Sequence, residues 1–283
     1  MAEKIPFGKS DFKVSQMGMG TYYDPGWIFS AKLLKRQANW ENKVAAIKAG
    51  VENGVNLIDT AELYESENLV EKAIKPFDRE DLFIATKVWP SHFSYDKVIK
   101  SCERSLKKLG LDYVDLYQLH FPSRIRDISG TMKAMEHLMD QGKIRNIGIS
   151  NFDLERTKKA VESLKKYEIA STQMNFSVAH RDIENDLIPY CKENKIAILA
   201  YYPLGHGRLV SPDSKTAIVL KEISENHGGK SAPQIALNWF ISKYDFVFPI
   251  PRASNADHVV ENSGSMGWKM SEEEIRKLEQ SFN

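Results

Sequence analysis

The stretch that decides the fold of this chain runs Asn56-Leu57-Ile58-Asp59-Thr60-Ala61-Glu62-Leu63-Tyr64. Its first residues continue an apolar run from Val55, which is typical of a buried strand. Asp59 ends the run. Because an unpaired charge is costly to bury, a carboxylate at the end of a buried strand needs a partner. The stretch therefore predicts a strand that carries an acid at its carboxyl end, with a phenol five residues later.

The same pattern repeats twice downstream. Residues 82–86 form an apolar run that ends at Lys87, and residues 114–119 form one that ends at His120. A helical stretch separates each run from the next. In a β/α barrel the carboxyl ends of the strands converge on one mouth, where active sites lie. The pattern predicts an acid, a phenol, an amine and an imidazole at that mouth.

Composition narrows the class of protein. The chain has 283 residues and a net charge of +1, and one β/α barrel takes about 250 residues, so we expect a single domain over residues 1–283. Neither nucleic acid nor a membrane is an expected partner, because the charge is balanced and no apolar run could cross a bilayer. Cys102 and Cys191 lack metal-ligand spacing, which predicts reduced structural thiols and no metal. With no apolar N-terminal stretch, a cytoplasmic enzyme is expected.

Alternating strands and helices predict an α/β fold, a (β/α)8 TIM barrel. Residues 5–16 predict an N-terminal β-hairpin, residues 22–39 a loop, and residues 255–262 and 271–281 extra C-terminal helices. No G-x-G-x-x-G follows the first strand, which disfavours a Rossmann domain. The eight strands are predicted near residues 17–20, 55–58, 82–86, 113–119, 144–149, 171–174, 196–200 and 246–250.

Four motifs together identify a family. They are Asp59-Thr60-Ala61-Glu62-Leu63-Tyr64, Ala85-Thr86-Lys87-Val88-Trp89, Leu116-Tyr117-Gln118-Leu119-His120 and Gly148-Ile149-Ser150-Asn151-Phe152. Through their order, spacing and placement at strand ends, the chain resembles the aldo-keto reductases, in particular the shorter, prokaryotic-type members. The resemblance extends over residues 14–262. It implies a TIM barrel that reduces aldehydes or ketones with a nicotinamide cofactor.

The resemblance assigns a catalytic role to Asp59, Tyr64, Lys87 and His120. Reduction of a carbonyl needs a hydride at carbon and a proton at oxygen, and Tyr64 is expected to donate the proton. An isolated phenol has a pKa near 10, which the Lys87 ammonium is expected to lower. Asp59 would balance Lys87, and His120 would orient the carbonyl.

Each of these residues also has a structural interpretation. Asp59 and Lys87 could form a buried ion pair, Tyr64 could be a boundary aromatic, and His120 could be a satisfied core histidine. Their joint placement at one barrel mouth favours catalysis.

Cofactor contacts follow from the same resemblance. Ser150, Asn151 and Gln173 are expected to bond the carboxamide, although the first two could instead cap the next helix. Tyr201 is expected to stack on the nicotinamide, and Arg252 to bind the 2′-phosphate of NADP beside a helix N-terminus. The full predicted set is Gly20, Thr21, Tyr22, Asp59, Ser150, Asn151, Gln173, Tyr201, Pro203, Leu204, Gly205, Gly207, Ile250, Arg252, Ala253, Ser254, Asn255, His258, Glu261 and Asn262.

Three positions depart from the family pattern. Arg252-Ala253 stands where many NADP-preferring members have Lys-Ser, and His258 where they have Arg. NADPH is still the expected cofactor, with NADH as the alternative, because a polar, cationic pocket remains. Glu65 stands where the family usually has Gly, which is expected to alter the loop after Tyr64.

The predicted substrate is a small carbonyl compound, and the predicted assembly is a monomer or a weak homo-oligomer. Alternatives on the same fold are an NAD(P)-linked sugar or alcohol dehydrogenase, a non-enzymatic cofactor-binding regulatory subunit, and a lyase or isomerase. The residues expected to surround the substrate are Tyr22, Trp27, Tyr64, Trp89, His120 and Phe121.

Overall fold

Short strands separated by helices make up the protein, whose structure is a computed structural model describing residues 3–34, 37–122, 128–205 and 215–282. The strands are β1 (Lys4–Pro6), β2 (Lys13–Ser15), β3 (Met19–Gly20), β4 (Leu57–Asp59), β5 (Phe83–Val88), β6 (Leu116–Leu119), β7 (Ile147–Ser150), β8 (Ile169–Asn175), β9 (Ala197–Tyr201) and β10 (Val247–Pro249). The helices are α1 (Pro25–Leu33), α2 (Trp40–Glu52), α3 (Glu67–Ile74), α4 (Tyr95–Leu109), α5 (Ser129–Asp140), α6 (Leu154–Ser163), α7 (Leu187–Glu193), α8 (Lys215–Asn226), α9 (Ala232–Lys243), α10 (Ala256–Ser263) and α11 (Glu272–Ser281).

Strands β3 to β10 form one parallel sheet in chain order within the described residues. The sheet closes on itself, because the Gly18 amide donates to the Pro249 carbonyl at 2.9 Å and the Gly20 amide to the Pro251 carbonyl at 2.9 Å. Glycine is favoured at this seam, since a Cβ on Gly20 would lie 3.0 Å from the Ile250 carbonyl oxygen, which is a tight contact. The predicted (β/α)8 barrel is confirmed.

The N-terminal hairpin closes the amino end of the barrel. β1 and β2 pair antiparallel, as predicted, and the turn between them carries Phe7, which is fully buried. Its ring lies 4.5 Å from that of Phe83 and 5.4 Å from that of Phe248, centroid to centroid. Both partners lie at or near the first residue of their strands, so the hairpin covers one end and leaves the carboxyl ends for a site.

One predicted loop is wrong. Residues 25–33 form α1, in which the Asp24 side chain accepts from the Trp27 amide at 2.7 Å and Pro25 occupies the first position. Proline suits that position because it has the right φ and needs no donor there. The apolar periodicity that identifies most helices is absent, because Phe29 and Leu33 are exposed while Trp27 is buried.

Other predicted helix boundaries shift by a few residues. α7 starts at Leu187 and not near residue 182, and α6 stops at Ser163 and not near residue 167.

Both cysteines are buried, and burial raises the pKa of the Cys102 and Cys191 thiols to about 12. Across the described ranges, the helices are too short or too polar to cross a bilayer.

Candidate active site

The barrel mouth collects four ionisable or polar side chains from neighbouring strands. Asp59 is the last residue of β4, Lys87 lies one residue before the end of β5, and His120 follows β6 directly. Tyr64 ends a short 3-10 turn, Glu62–Tyr64, that continues from β4. All four are buried, with Lys87 0% and Tyr64 8% exposed. The barrel therefore brings these residues together out of bulk water.

Lys87 and Asp59 form a buried ion pair. The Lys87 ammonium donates to Asp59 Oδ2 at 2.6 Å and to the Thr60 carbonyl at 2.7 Å. The second carboxylate oxygen accepts from the Gln118 amide at 3.3 Å and the Gln173 amide at 2.9 Å. Burial lowers the pKa of Lys87, and the charge of Asp59 opposes that shift. The amides and the ammonium together satisfy a carboxylate that would otherwise be costly to bury.

Tyr64 and His120 face each other across the mouth. The Tyr64 hydroxyl lies 3.2 Å from His120 Nε2. Burial, and then the Lys87 charge, lower the pKa of His120 to about 2. The imidazole is therefore neutral at pH 7, with one N–H to donate. Its Nδ1 has no hydrogen-bond partner among the described residues.

The expected lowering of the Tyr64 pKa is contradicted. Burial raises the pKa of Tyr64 well above 10, and the Asp59 charge raises it further. The Lys87 ammonium lies 4.8 Å from the centre of the Tyr64 ring, but burial and the Asp59 charge outweigh its effect on the pKa of the phenol. The phenol therefore keeps its proton at neutral pH.

The buried His120 predicts a pH dependence of stability. A histidine in the unfolded chain takes up a proton below about pH 6.5, whereas the folded protein resists this until about pH 2. The contribution of the neutral His120 to stability is therefore fully present above about pH 6.5 and is lost as the pH falls below it. From pH 7.5 to 5.0, His120 should lower the free energy of unfolding by about 2 kcal/mol. Urea unfolding at the two pH values measures this.

A matched pair of variants isolates the effect. His120→Gln should remove this loss, while His180→Gln, which changes a partly exposed histidine, should keep it. An equal loss in wild type and His120→Gln would contradict a neutral, buried imidazole.

A polar network links the far side of the mouth to His120. The Tyr201 hydroxyl donates to Asn151 Oδ1 at 2.7 Å, and Asn151 Nδ2 donates to the His120 carbonyl at 3.0 Å and to Ser150 Oγ at 3.0 Å. Ser150 Oγ donates to the Gln173 carbonyl at 3.1 Å. Asn151 adopts a left-handed conformation, with φ of 64°, which asparagine tolerates better than most residues. These side chains therefore form one connected polar wall.

The alternative that Ser150 or Asn151 caps α6 is wrong. The cap is Asp153, whose Oδ1 accepts from the Arg156 amide at 2.8 Å. Ser150 and Asn151 consequently belong to the mouth of the barrel and not to the helix end.

Aromatic rings surround the opening. The Trp89 ring lies 5.3 Å from that of His120 and 5.7 Å from that of Phe121. On the other side, Tyr22 lies 5.2 Å from Tyr64 and 6.5 Å from Tyr202. Phe121 is 39% and Tyr202 37% exposed, so the outer edge of the opening faces solvent. We call this set of rings, Tyr22, Trp89, Phe121 and Tyr202, the aromatic rim.

Trp27 lies behind the rim. It is only 5% exposed, and its indole N–H donates to the Tyr64 carbonyl at 3.2 Å. Its ring packs edge-on against Tyr23, with centroids 5.1 Å apart. In this position Trp27 supports the Tyr64 turn from outside the opening.

The last strand leads to a loop held against β3. The Ala253 amide donates to the Gly20 carbonyl at 2.9 Å, and an Arg252 Nη donates to the Tyr23 carbonyl at 2.7 Å. α10 follows, with Asn255 as its N-cap accepting from the His258 amide at 3.2 Å. An exposed guanidinium thus stands one short loop before a helix N-terminus.

The remaining predicted cofactor residues differ in burial, and one of them lies outside the described residues. Thr21 Oγ1 donates to the Asp59 carbonyl at 3.1 Å, and the Gly205 amide donates to the Tyr202 carbonyl at 2.9 Å. Gly207 lies outside the described residues. Pro203, Ile250 and Asn262 are buried, Leu204, Ser254 and Glu261 are partly buried, and His258 is exposed.

These residues fit a nicotinamide dinucleotide that carries an extra phosphate. Within the described ranges the Arg252 guanidinium has no acidic partner, so its donors can bind an anion. The α10 N-terminus adds a partial positive charge nearby. Tyr201 offers a ring face, and Asn151 and Gln173 offer amides, at the other end of the site. No group of acidic, histidine or cysteine side chains in the described ranges could hold a metal ion.

Comparison with known proteins decides the family. The sequence profile of the Aldo/keto reductase family matches residues 16–282. The chain belongs to this family. Methylglyoxal reductase YeaE of Escherichia coli (strain K12) is 34% identical over 286 aligned positions, covering 100% of this chain and 96% of the relative. This chain is therefore an oxidoreductase of the aldo-keto reductase class.

Solved structures agree with the fold of this aldo-keto reductase. The thermostable aldo-keto reductase Tm1743, crystallised with the inhibitor epalrestat, has a TM-score of 0.87 and 35% identity, with 99% of each chain covered. An aldo/keto reductase from Klebsiella pneumoniae, solved with NADP and acetate, has a TM-score of 0.85 and 32% identity, covering 99% of this chain and 95% of that chain.

Sequence reasoning missed two contributors to the site. Gln118 donates to Asp59, and Tyr202 belongs to the aromatic rim. The signal for Gln118 was available, because it is a polar residue inside an apolar run and lies two positions before His120. Side chains two apart on a strand share a face.

Proposed function

We propose that this aldo-keto reductase reduces small aldehydes and ketones to alcohols with NADPH, and that Tyr64 donates the proton. One observation carries the proposal. A protonated phenol lies 3.2 Å from a neutral imidazole, beside a buried ion pair, at the mouth of the barrel. Two adjacent donors of this kind can bind a single carbonyl oxygen and hold it in one orientation.

Each residue then has a separate task. NADPH, when bound, supplies the hydride to the carbonyl carbon. His120 Nε2 donates to the carbonyl oxygen and holds it beside the Tyr64 hydroxyl. An alkoxide is a stronger base than a phenolate, so the proton passes from Tyr64 to oxygen despite its raised pKa. Lys87 stabilises the phenolate that remains, and Asp59 retains the Lys87 ammonium in the barrel.

The raised pKa of Tyr64 favours reduction over oxidation at neutral pH. Oxidation of an alcohol needs the phenolate of Tyr64 as a base, and burial disfavours that form. A sugar or alcohol dehydrogenase would therefore work poorly near pH 7 with this site. We accordingly prefer a carbonyl reductase to the dehydrogenase alternative.

The cofactor would extend from the polar wall to the Arg252 loop. Asn151 and Gln173 would hold the carboxamide, Tyr201 would stack on the nicotinamide, and Arg252 would bind the 2′-phosphate. The support is the fit of these donors and the NADP complex of the Klebsiella pneumoniae relative. We treat the chain as a single-domain enzyme, because the described strands after the hairpin share one barrel.

Small aldehydes are the proposed substrates. The rim is aromatic and partly open to solvent, which suits apolar and flat carbonyl compounds of moderate size. Methylglyoxal reductase YeaE is a relative over the full chain, which supports a two-carbon or three-carbon oxoaldehyde. Loss of NADPH absorbance with glyoxal, methylglyoxal and benzaldehyde tests the proposal. Turnover of at least one is expected, and no turnover of any would contradict it.

Arg252→Ala tests the phosphate contact. Because a charge-assisted hydrogen bond to phosphate contributes about 1.5–3 kcal/mol, the variant should bind NADPH roughly tenfold to a hundredfold more weakly. NADH binding should change less than about twofold, since NADH has no 2′-phosphate. Quenching of tryptophan fluorescence by each cofactor measures both constants.

Arg156→Ala is the control for Arg252→Ala, because Arg156 is an exposed arginine on α6. It should leave both constants unchanged. If Arg252→Ala weakened the binding of NADPH and NADH equally, the 2′-phosphate would have to be bound by another residue.

A further inference from the structure

Glu62 links two parts of the barrel mouth, which are the turn that ends in Tyr64 and the segment that begins at Trp89. Its Oε1 accepts from the Trp89 amide at 2.5 Å and from His92 Nδ1 at 2.9 Å. Its Oε2 lies 3.6 Å from an Arg104 Nη. The side chain is only 12% exposed. Glu62 opens the turn that ends in Tyr64, so one carboxylate joins that turn to the segment after β5.

The hydrogen bond between Glu62 and the Trp89 amide lies directly after the last residue of β5. β5 ends at Val88, whose carbonyl accepts from the His120 amide at 3.1 Å. Trp89 is the next residue, and its amide bonds to Glu62. The following 3-10 turn, Pro90–His92, is held at its far end by the same carboxylate. Charge-assisted bonds of this kind are roughly twice as strong as neutral ones.

We propose that Glu62 is a positioning residue that fixes Trp89 relative to Tyr64 and so determines how larger carbonyl substrates bind. The inference rests on the proposed reductase function. The Trp89 ring contacts His120 and Phe121, so its placement sets the width of the rim on that side. In this position the Trp89 ring would contact the substrate and the transition state equally. A less well-positioned Trp89 should therefore raise KM with little change in kcat.

Glu65 provides a matched comparison on the other side of Tyr64. It is also acidic, and it pairs with Lys108 of α4 at 3.2 Å, one turn after Arg104. Its side-chain contacts in the described residues do not include Trp89 or His92. If the turn merely needs an acid paired with α4, changing Glu62 and changing Glu65 should have the same effect.

Three substitutions of Glu62 separate the effect of side-chain length from the effect of charge. Glu62→Ala removes the acceptor, Glu62→Asp keeps the charge but is one methylene too short, and Glu62→Gln keeps an oxygen at the same distance without the charge. Benzaldehyde and glyoxal are the probes, because benzaldehyde needs the aromatic wall and glyoxal is small. Glu65→Gln is the control.

Steady-state kinetics with NADPH give the answer. Glu62→Ala and Glu62→Asp should raise KM for benzaldehyde about tenfold, with kcat and the NADPH dissociation constant within about threefold of wild type. KM for glyoxal should change by less than about threefold, and Glu62→Gln should recover most of the benzaldehyde affinity. Should Glu62→Ala not fold, the Asp and Gln variants make the same comparison.

Three results would overturn the inference. The first is that Glu62→Ala lowers kcat equally with benzaldehyde and glyoxal. The second is that Glu65→Gln raises KM for benzaldehyde as much as Glu62→Ala does. The third is that Glu62→Asp keeps the wild-type KM for benzaldehyde. An active wild type with any of these leaves the proposed function intact. A wild type that consumes no NADPH with either of these aldehydes removes the inference, and it removes the proposed function as well if methylglyoxal is also not reduced.

Discussion

Tyr64→Phe is expected to lower kcat for aldehyde reduction by roughly 10³-fold. Phenylalanine keeps the ring that packs against Tyr22 and His120 but carries no proton to donate. NADPH binding should stay within about twofold of wild type, because the hydroxyl is assigned to the substrate and not to the cofactor. Rates of NADPH consumption, with cofactor binding by tryptophan fluorescence, measure the two quantities separately.

Tyr167→Phe is the control for this substitution. Its hydroxyl donates to Asp140 at 2.7 Å on the protein surface, and its loss should leave kcat unchanged. Near-normal turnover by Tyr64→Phe would assign the proton to another group.

Lys87→Met is expected to lower the free energy of unfolding by about 3–5 kcal/mol. Methionine fills a similar volume, so the main effect is on Asp59, which loses its counter-charge in a site where it is 2% exposed. The Gln118 and Gln173 amides remain as donors but carry no charge. Urea unfolding at pH 7.5 measures the loss, and reductase activity should fall with it, because the phenolate of Tyr64 loses its stabilising cation.

The double variant Asp59→Asn/Lys87→Met separates stability from chemistry. Removing both charges should recover most of the lost stability, since a neutral pair needs no compensation. Activity should stay as low as in Lys87→Met, because the cation is still missing. A Lys87→Met protein as stable as wild type would contradict the role of the buried Lys87–Asp59 ion pair in stability.

The strand ends were predictable from the sequence because the strands are short and buried on both faces. A parallel barrel strand appears as an apolar run, so the first polar residue after it marks the mouth. Asp59, Lys87 and His120 were found in this way, and the chain order of the runs gave the barrel. The hairpin was predicted from turn residues between Phe7 and Phe12.

Other features depend on contacts that no local pattern records. α1 is held by the Asp24 cap and by Trp27 packing against the Tyr64 turn, which places apolar residues on both of its faces. The pKa of Tyr64 depends on how deeply the barrel buries the phenol and on how fully Asp59 balances Lys87. Neither quantity can be read from the types of residue alone.

The departure at Glu65 has a structural consequence of its own. Its φ of 55° lies in the left-handed region, where glycine is favoured, so the family pattern of Gly fits the backbone here. In this chain, a glutamate holds the same conformation, its side chain pairs with Lys108, and its carbonyl accepts from Gln37 at 3.0 Å. The expected change in the loop is therefore a change in its contacts, while the turn itself is kept.

The central claim is that one carbonyl oxygen is bound by Tyr64 and His120 together, beside the reduced ring of the cofactor. A crystal structure of this reductase with NADP and an unreactive carbonyl compound tests it most directly. The account predicts the carbonyl oxygen within about 3.2 Å of both the Tyr64 hydroxyl and His120 Nε2, with the nicotinamide against Tyr201. A carbonyl bound elsewhere, or a Tyr64 hydroxyl directed away from it, would contradict the account.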